Sequence, residues 1–212
     1  DYLLDSARAD YLLSETGSSP TTGLFGSSIK QISDQTVNKE PVKITFTSGS
    51  TGAPKGVVLR HDKLFTIARS IVQMMEQLDI GKHLCVLPLA TLLENIAGVY
   101  APLMKGIEIC VPNGEEVGLS GSSGLDPTQF AGCINQSRPE SMILVPQLLL
   151  ATVTLTELGI MNSKDLKMVA VGGGKVAENL IDKASELEIP VYQGYGLSEA
   201  GVLDAPDFHR RR

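Results

Sequence analysis

From about residue 42 onward, the apolar residues of this chain fall in short runs that alternate with segments of helical periodicity. The runs at 141–145 and 168–171 are mostly apolar and do not alternate with polar residues, which is typical of buried strands, and the run at 42–47 is a further strand candidate. Between such runs, apolar residues recur three and four positions apart, as in helices that cover a sheet. This order predicts an α/β fold with a mostly parallel sheet flanked by helices on both faces.

The pattern also gives approximate limits for each element. Strands are expected at 42–47, 57–60, 83–87, 107–111, 141–145, 168–171 and from 190 onward. Helices are expected at 61–77, 93–104, 128–136, 146–157 and 177–187, and a loop at 112–127. The most unusual glycine-rich segments come directly after strands. Because ligands of parallel sheets bind beyond the carboxyl ends of the strands, a ligand site is expected at that edge.

The N-terminal part has a different character. Twelve of the fifteen residues at 14–28 are Ser, Thr, Gly or Pro, and such a segment buries too little apolar surface to offset its ordering entropy. It is therefore predicted to be a loop or linker. The expected organisation is an N-terminal segment with this linker at 1–41, an α/β domain at 42–201 and a divergent tail at 202–212.

Composition narrows the class of protein without naming a chemistry. Eighteen Lys and Arg against twenty-four Asp and Glu give a net charge of −6, which argues against a nucleic-acid partner. The longest apolar runs are far too short for a transmembrane segment. Cys85, Cys110 and Cys133 have no metal-binding spacing, so they are expected to be reduced thiols of a cytoplasmic protein.

The most informative segment is TSGSTGAPKG at 47–56, in which eight of ten residues are Ser, Thr, Gly or Ala. Small residues let backbone N–H groups approach an anion closely, hydroxyls add donors and a lysine adds charge, which together suit a polyphosphate. The segment is not a Walker loop, because Lys55 is followed by Gly56 and a strand rather than by Ser or Thr and a helix. A flexible hairpin joining two strands is expected, and an ordinary turn without a ligand is the alternative. The predicted phosphate-binding residues are Thr47, Ser48, Gly49, Ser50, Thr51, Gly52 and Lys55.

The longer stretch ITFTSGSTGAPKGV at 44–57 closely resembles the phosphate-binding signature of the adenylate-forming, or AMP-binding, superfamily. That superfamily includes acyl-CoA synthetases, nonribosomal peptide adenylation domains and luciferases. The resemblance implies that this loop holds the β- and γ-phosphates of ATP and that Lys55 is catalytic.

Two further segments extend the resemblance in the same order along the chain. LPLATLLEN at 87–95 is similar to the corresponding segment of long-chain acyl-CoA synthetases, with Thr91 where a histidine is common. Glu94 is either part of that motif or a first-turn carboxylate favoured by the helix dipole. Gly172, Gly173 and Gly174 resemble the turn that lies against adenine and the acyl group in this family; a plain tight turn is the alternative. His83 opens a strand, and the sequence identifies no partner for it.

The segment YQGYGLSE at 192–199 resembles the family's Tyr-Gly-x-Thr-Glu signature, with Ser198 in place of threonine. The resemblance implies that Tyr195 stacks on adenine beside Gly196. It also implies that Ser198 bonds the α-phosphate and that Glu199 holds Mg²⁺. Ser198 and Glu199 are therefore predicted to be catalytic, and Glu199 is the predicted metal ligand.

Taken together, the resemblance implies a ligase that activates a small-molecule carboxylate with ATP and Mg²⁺ and passes the acyl group to coenzyme A, with a fatty acid favoured. These 212 residues contain no segment like the family's ribose anchor or C-terminal catalytic lysine, so weak nucleotide binding without turnover is expected. The alternative is a non-catalytic nucleotide- or partner-binding module. Homo-oligomers are also expected if apolar surface is left uncovered.

Overall fold

The computed structural model describes residues 11–18, 25–31, 42–47, 55–121, 124–197 and 202–204. The chain divides into two compact units, Asp1–His61 and Asp62–Arg212. Each unit is built differently, the first from strand pairs and the second around a parallel sheet.

The first unit contains two antiparallel strand pairs. Strand β1 (Tyr11–Ser18) pairs with β2 (Phe25–Gln31), and β3 (Val42–Thr47) pairs with β4 (Lys55–Arg60). The second pair is the hairpin that the sequence predicted. The loop predicted at 14–28 is wrong for residues 14–18 and 25–28, because strand pairing satisfies backbone groups in a segment that has few apolar side chains to bury.

The second unit contains five parallel strands in one sheet, and the order across the sheet is β6-β5-β9-β10-β11. The sheet strands are β5 (Lys82–Leu84), β6 (Glu108–Cys110), β9 (Ser141–Leu144), β10 (Met168–Val171) and β11 (Val191–Gln193). The unit also contains two antiparallel pairs, β7 (Leu119–Ser120) with β8 (Gly124–Leu125) and β12 (Tyr195–Leu197) with β13 (Val202–Asp204). The chain leaves β5 in one direction to reach β6 and returns to its other side at β9. This reversal creates a switch point between β5 and β9, where sheets of this kind bind ligands.

Helices connect these strands and cover the sheet, which confirms the predicted α/β class. They are α1 (His61–Met74), a π-helix (Glu94–Tyr100), α2 (Ala101–Lys105), α3 (Gly114–Val117), α4 (Pro127–Ser137), α5 (Pro146–Glu157) and α6 (Glu178–Glu186). The predicted loop at 112–127 instead holds α3 and the β7–β8 hairpin, and a capping box between Asn113 and Glu116 starts α3. Among the described helices, none combines the length and apolar character needed to cross a bilayer.

In a parallel sheet, a right-handed connection to the next strand on one side places its helix on one face, and a connection toward the other side places its helix on the other face. The central strand β9 is buried at all four positions, and its Ile143 and Leu144 have no exposed surface. Phe130 of α4 and Leu149 of α5 are also fully buried. The predicted tail at 202–212 begins with β13, which pairs with β12 within the second unit.

An ion pair at the amino edge of the sheet yields a prediction for pH dependence. Glu140 lies 2.8 Å from Lys167 Nζ and also accepts the Gly81 N–H. The hydrogen bond from Lys167, and then the one from Gly81, lower the pKa of Glu140 below its usual 4.5. A carboxyl pKa that is lower in the folded state stabilises the fold above the unfolded pKa, and this stabilisation is lost as the pH falls through the folded pKa.

We therefore expect Glu140→Gln to lower the free energy of unfolding by less than about 1 kcal/mol at pH 7, since the pair is partly exposed. The difference from wild type should shrink as the pH falls below about 5 and should be lost once the pH has passed through the folded pKa. Urea unfolding at both ends of this range measures it. Glu108→Gln is the control, because Glu108 pairs with Lys82 at 3.3 Å while 66% exposed. An equal loss at both pH values would contradict the prediction.

Candidate functional site

Two glycine-rich segments meet at the carboxyl edge of the sheet. Gly172 follows β10 and Gly194 follows β11, so both lie just beyond the ends of adjacent parallel strands. Backbone hydrogen bonds fix them: Gly172 N–H donates to Leu144 O at 3.1 Å, and Gly194 N–H donates to Val171 O at 2.9 Å. The edge where the sequence predicted a ligand is therefore lined by backbone.

Gly172 lies close to the side chain of Leu93. A Cβ atom at this position would lie 2.9 Å from Leu93 Cδ2 and 3.7 Å from the Gly194 carbonyl oxygen. Leu93 thus packs directly on the turn that begins at Gly172. The predicted residues Gly173 and Gly174 follow in the same turn and are exposed.

An apolar pocket adjoins these two glycines. Its cavity volume is about 40 Å³. Its other lining residues come from the end of α1 and the residue after it, from the π-helix and the residue before it, and from β9 and β10. They include Met74, Met75, Leu93, Ala97, Ile143 and Met168. None of the described residues that line it carries a charge. The pocket can therefore hold a small apolar group beside the two glycines.

Beside the switch point, a buried polar cluster joins β5, β9 and the π-helix. The imidazole of His83 lies with Nδ1 2.9 Å from Ser141 Oγ and Nε2 3.4 Å from Glu94 Oε1. The other carboxylate oxygen of Glu94 accepts the Leu87 N–H at 2.9 Å. His83, Ser141 and Glu94 have no exposed surface. The geometry thus ties the segment after β5 to the π-helix through side chains.

The cluster gives Glu94 and His83 contacts that the sequence did not show. Glu94 lies in the first turn of the π-helix, where it is fully buried and accepts the Leu87 N–H. The partners of His83 are Ser141 and Glu94. The sequence signal for such partners was a histidine in an apolar strand, because a buried polar side chain needs a hydrogen-bond partner.

Cys85 completes the cluster. Its Sγ lies 3.6 Å from the Gly98 carbonyl oxygen, and its sulfur, a His83 nitrogen and a Glu94 oxygen all lie within 4.8 Å of one another. Burial, followed by the charge of Glu94 and a hydrogen bond to it, raises the pKa of the Cys85 thiol far above its usual value. Cys133 is half-buried, and burial raises the pKa of its thiol as well. Both thiols are therefore protonated at neutral pH.

The π-helix shapes this cluster. Ala101 N–H donates to Ile96 O five residues earlier, and Pro102 has no N–H to give to the Gly98 carbonyl in an α-helical pattern. The wider turn brings Gly98 against Glu94, so that a Cβ at Gly98 would lie 2.0 Å from Glu94 Oε1 and 2.9 Å from His83 Nε2. Single π-turns of this kind are frequent at functional sites.

The predicted phosphate loop belongs to the first unit. In the β3–β4 hairpin, Thr47 pairs with Lys55, so both stand at the end of the ladder where the loop begins and ends. The loop residues Ser48, Gly49, Ser50, Thr51 and Gly52 lie outside the described residues. Their role in binding phosphate stays a prediction.

The predicted adenine and Mg²⁺ residues are described only in part. Tyr195 and Gly196 belong to β12, where the backbone of Tyr195 pairs with Asp204 and that of Gly196 with Leu203. Because β12 follows Gly194 directly, this strand begins at the same sheet edge as the Gly172 turn. Ser198 and Glu199 lie outside the described residues.

Comparison with known proteins identifies the family. A sequence model described as AMP-binding enzyme matches residues 4–211, a longer stretch than the predicted domain at 42–201. The dimodular nonribosomal peptide synthase of Bacillus subtilis (strain 168) is 28% identical over 170 residues, covering 79% of this chain and 7% of that protein. The 4-coumarate–CoA ligase 2 of Oryza sativa subsp. japonica is 27% identical over 170 residues, covering 77% of this chain and 28% of the ligase.

Solved structures support the fold independently. The O-succinylbenzoate coenzyme A synthetase from Bacillus subtilis, in complex with AMP, superposes with a TM-score of 0.61 at 20% identity. The match covers 80% of this chain and 33% of the synthetase, so the chain spans no more than a third of these three proteins. Since the family model covers nearly every residue and the parallel sheet has the same fold, this chain belongs to the AMP-binding enzyme family of adenylate-forming proteins.

Proposed function

We propose that this chain carries nucleotide and acyl sites of an enzyme that joins a carboxylate to AMP and then transfers the acyl group to the thiol of coenzyme A. Family membership supports the first step, and the ligase and synthetase names of two of the relatives support the second. In this proposal, Lys55 and the loop from Thr47 to Gly52 hold the β- and γ-phosphates of ATP. Tyr195 and the turn at 172–174 hold adenine, and Ser198 and Glu199 serve the α-phosphate and Mg²⁺.

The observation that carries the substrate class is the apolar pocket beside Gly172 and Gly194. A fatty acid suits it, because its alkyl chain gains about 0.8 kcal/mol for each methylene that leaves water. A second carboxylate or an amine on the acyl group would find no charged partner among the described lining residues, and burying it unpaired is costly. We therefore propose an aliphatic carboxylic acid as the substrate.

Bringing two anions together is the chemical problem that such an enzyme solves. A carboxylate oxygen attacks the α-phosphorus, the bond to pyrophosphate breaks, and negative charge accumulates on the leaving group. Lys55, the loop hydroxyls and the backbone N–H groups would offset that charge, and Mg²⁺ would be held by the hard oxygens of Glu199. Positioning and charge neutralisation suffice, so no protein nucleophile is needed.

The test is binding of ATP with Mg²⁺ to the 212-residue chain, measured by titration calorimetry. We expect Lys55→Ala to weaken binding by about tenfold, since a hydrogen bond to a charged group contributes about 1.5 kcal/mol or more. Lys63→Ala is the matched control, because it removes the same charge from an exposed position in α1.

Equal binding by wild type and Lys55→Ala would contradict the assignment of the phosphate loop. An equal loss in Lys63→Ala would mean that net charge, rather than the loop, governs nucleotide binding. Far-ultraviolet circular dichroism of each variant confirms that the fold is unchanged.

A further inference from the structure

We propose that His83, Cys85 and Glu94 form a binding site for a divalent transition-metal ion of the zinc type. The three side chains offer an imidazole nitrogen, a sulfur and a carboxylate oxygen, all within 4.8 Å of one another. All three residues are buried, and none belongs to the proposed nucleotide or acyl machinery.

The separation of two of the ligand atoms matches that of a zinc site. His83 Nε2 and Glu94 Oε1 are 3.4 Å apart, longer than the usual N–H···O range of about 2.7–3.2 Å. Two ligands that each lie about 2.0–2.1 Å from a tetrahedral zinc ion are about 3.3–3.4 Å from each other. The observed separation is therefore that of two corners of a zinc site.

The remaining polar atoms of the two ligands are already bonded. His83 Nδ1 lies 2.9 Å from Ser141 Oγ, and Glu94 Oε2 accepts the Leu87 N–H at 2.9 Å. Such outer contacts hold an imidazole and a carboxylate in the orientation that a metal requires. They leave Nε2 and Oε1, together with Cys85 Sγ, to face one another.

The helix backbone at Gly98 lies against these atoms. A side chain there would place its Cβ 2.0 Å from Glu94 Oε1 and 2.9 Å from His83 Nε2. Glycine thus lets the π-turn pass directly beside the two ligand atoms. No aliphatic residue could stand here without displacing the carboxylate.

The ligand set also selects the kind of ion. Mg²⁺ and Ca²⁺ take oxygen ligands, whereas a thiolate with an imidazole suits Zn²⁺ and similar ions. Binding would replace the proton of the Cys85 thiol, which passes to solvent, and form a metal–sulfur bond. A dication with one thiolate and one carboxylate is neutral overall, which reduces the cost of burying the charges.

The experiment uses Co²⁺, which reports thiolate ligation through a near-ultraviolet charge-transfer band. The 212-residue chain is unfolded in urea and refolded with Co²⁺, since buried ligands load as the fold closes. We expect one ion per chain with this band in the wild type and in Cys133→Ala. In Cys85→Ala, which leaves His83 and Glu94 in place, the band should disappear.

A second measurement uses the same cysteine variants and leaves His83 and Glu94 unchanged. Zn²⁺ should raise the thermal unfolding temperature of the wild type and of Cys133→Ala, and should leave Cys85→Ala unchanged. Refolded wild type without the band, or a band that persists in Cys85→Ala, would overturn the proposal. The thiol would then be only a hydrogen-bonding group beside the Gly98 carbonyl and Glu94.

Discussion

Replacing Gly98 with alanine is expected to destabilise the second unit by about 3 kcal/mol. Overpacking a buried site costs about 1–3 kcal/mol by itself, and disturbing a buried, hydrogen-bonded carboxylate adds to this cost. The added Cβ would lie 2.0 Å from a carboxylate oxygen of Glu94 and 2.9 Å from His83 Nε2. The helix or both side chains must therefore move. Urea unfolding monitored by circular dichroism measures the loss.

The matched control is Gly132→Ala in α4. Gly132 is exposed and lies within a regular helix, and a Cβ added there would meet no other atom within 4 Å. At this position alanine should stabilise the chain by about 0.5–1 kcal/mol, because it restricts the unfolded state and favours helix. Similar effects at the two glycines would show that helix propensity, and not contact with Glu94, decides the outcome at Gly98.

Filling the apolar pocket should shorten the acyl chain that the protein can bind. Ala97 lines the pocket and is buried, so Ala97→Leu places three extra carbons inside it. Each methylene that is excluded from the pocket costs about 0.8 kcal/mol of binding free energy. An acyl-adenylate analogue with three methylenes excluded should therefore bind the variant about sixtyfold more weakly than it binds wild type. Competition binding with analogues of increasing chain length measures this change, and analogues of the shortest acids should be little affected.

Ala177→Leu, at an exposed position before α6, is the control for the added side chain. Urea unfolding of both variants checks that they are folded under the binding conditions. If long and short analogues lose affinity equally, the pocket is not where the acyl chain lies.

Local sequence signals predicted most elements because they act over a few residues. The strands at 42–47 and 168–171 and the helix at 146–157 occur at the predicted residues. Pro146 accounts for the last of these, since proline fits the first turn of a helix and an apolar run follows it. The predicted hairpin around the phosphate loop also occurs, with Thr47 opposite Lys55.

Features that depend on distant residues could not be read in the same way. The apolar spacing at 93–104 fits an α-helix and a π-helix equally, and the choice depends on Pro102 and on the contact between Gly98 and Glu94. One partner of His83 lies eleven residues away in another element, and the other, Ser141, lies fifty-eight residues away. Strands β1 and β2 form because two polar segments pair with each other, which composition does not encode.

The order of strands across the sheet has a consequence for how the chain acquires its structure on the ribosome. Strand β5 lies inside the sheet, between β6 and β9, yet the chain reaches β9 only after a long connection, since His83 and Ser141 are fifty-eight residues apart. Closing so long a connection has an entropic cost that must be met before the contacts across it form. During synthesis, the nascent polypeptide therefore holds β5 and β6 with one side of β5 unpaired until Leu144 has emerged from the exit tunnel.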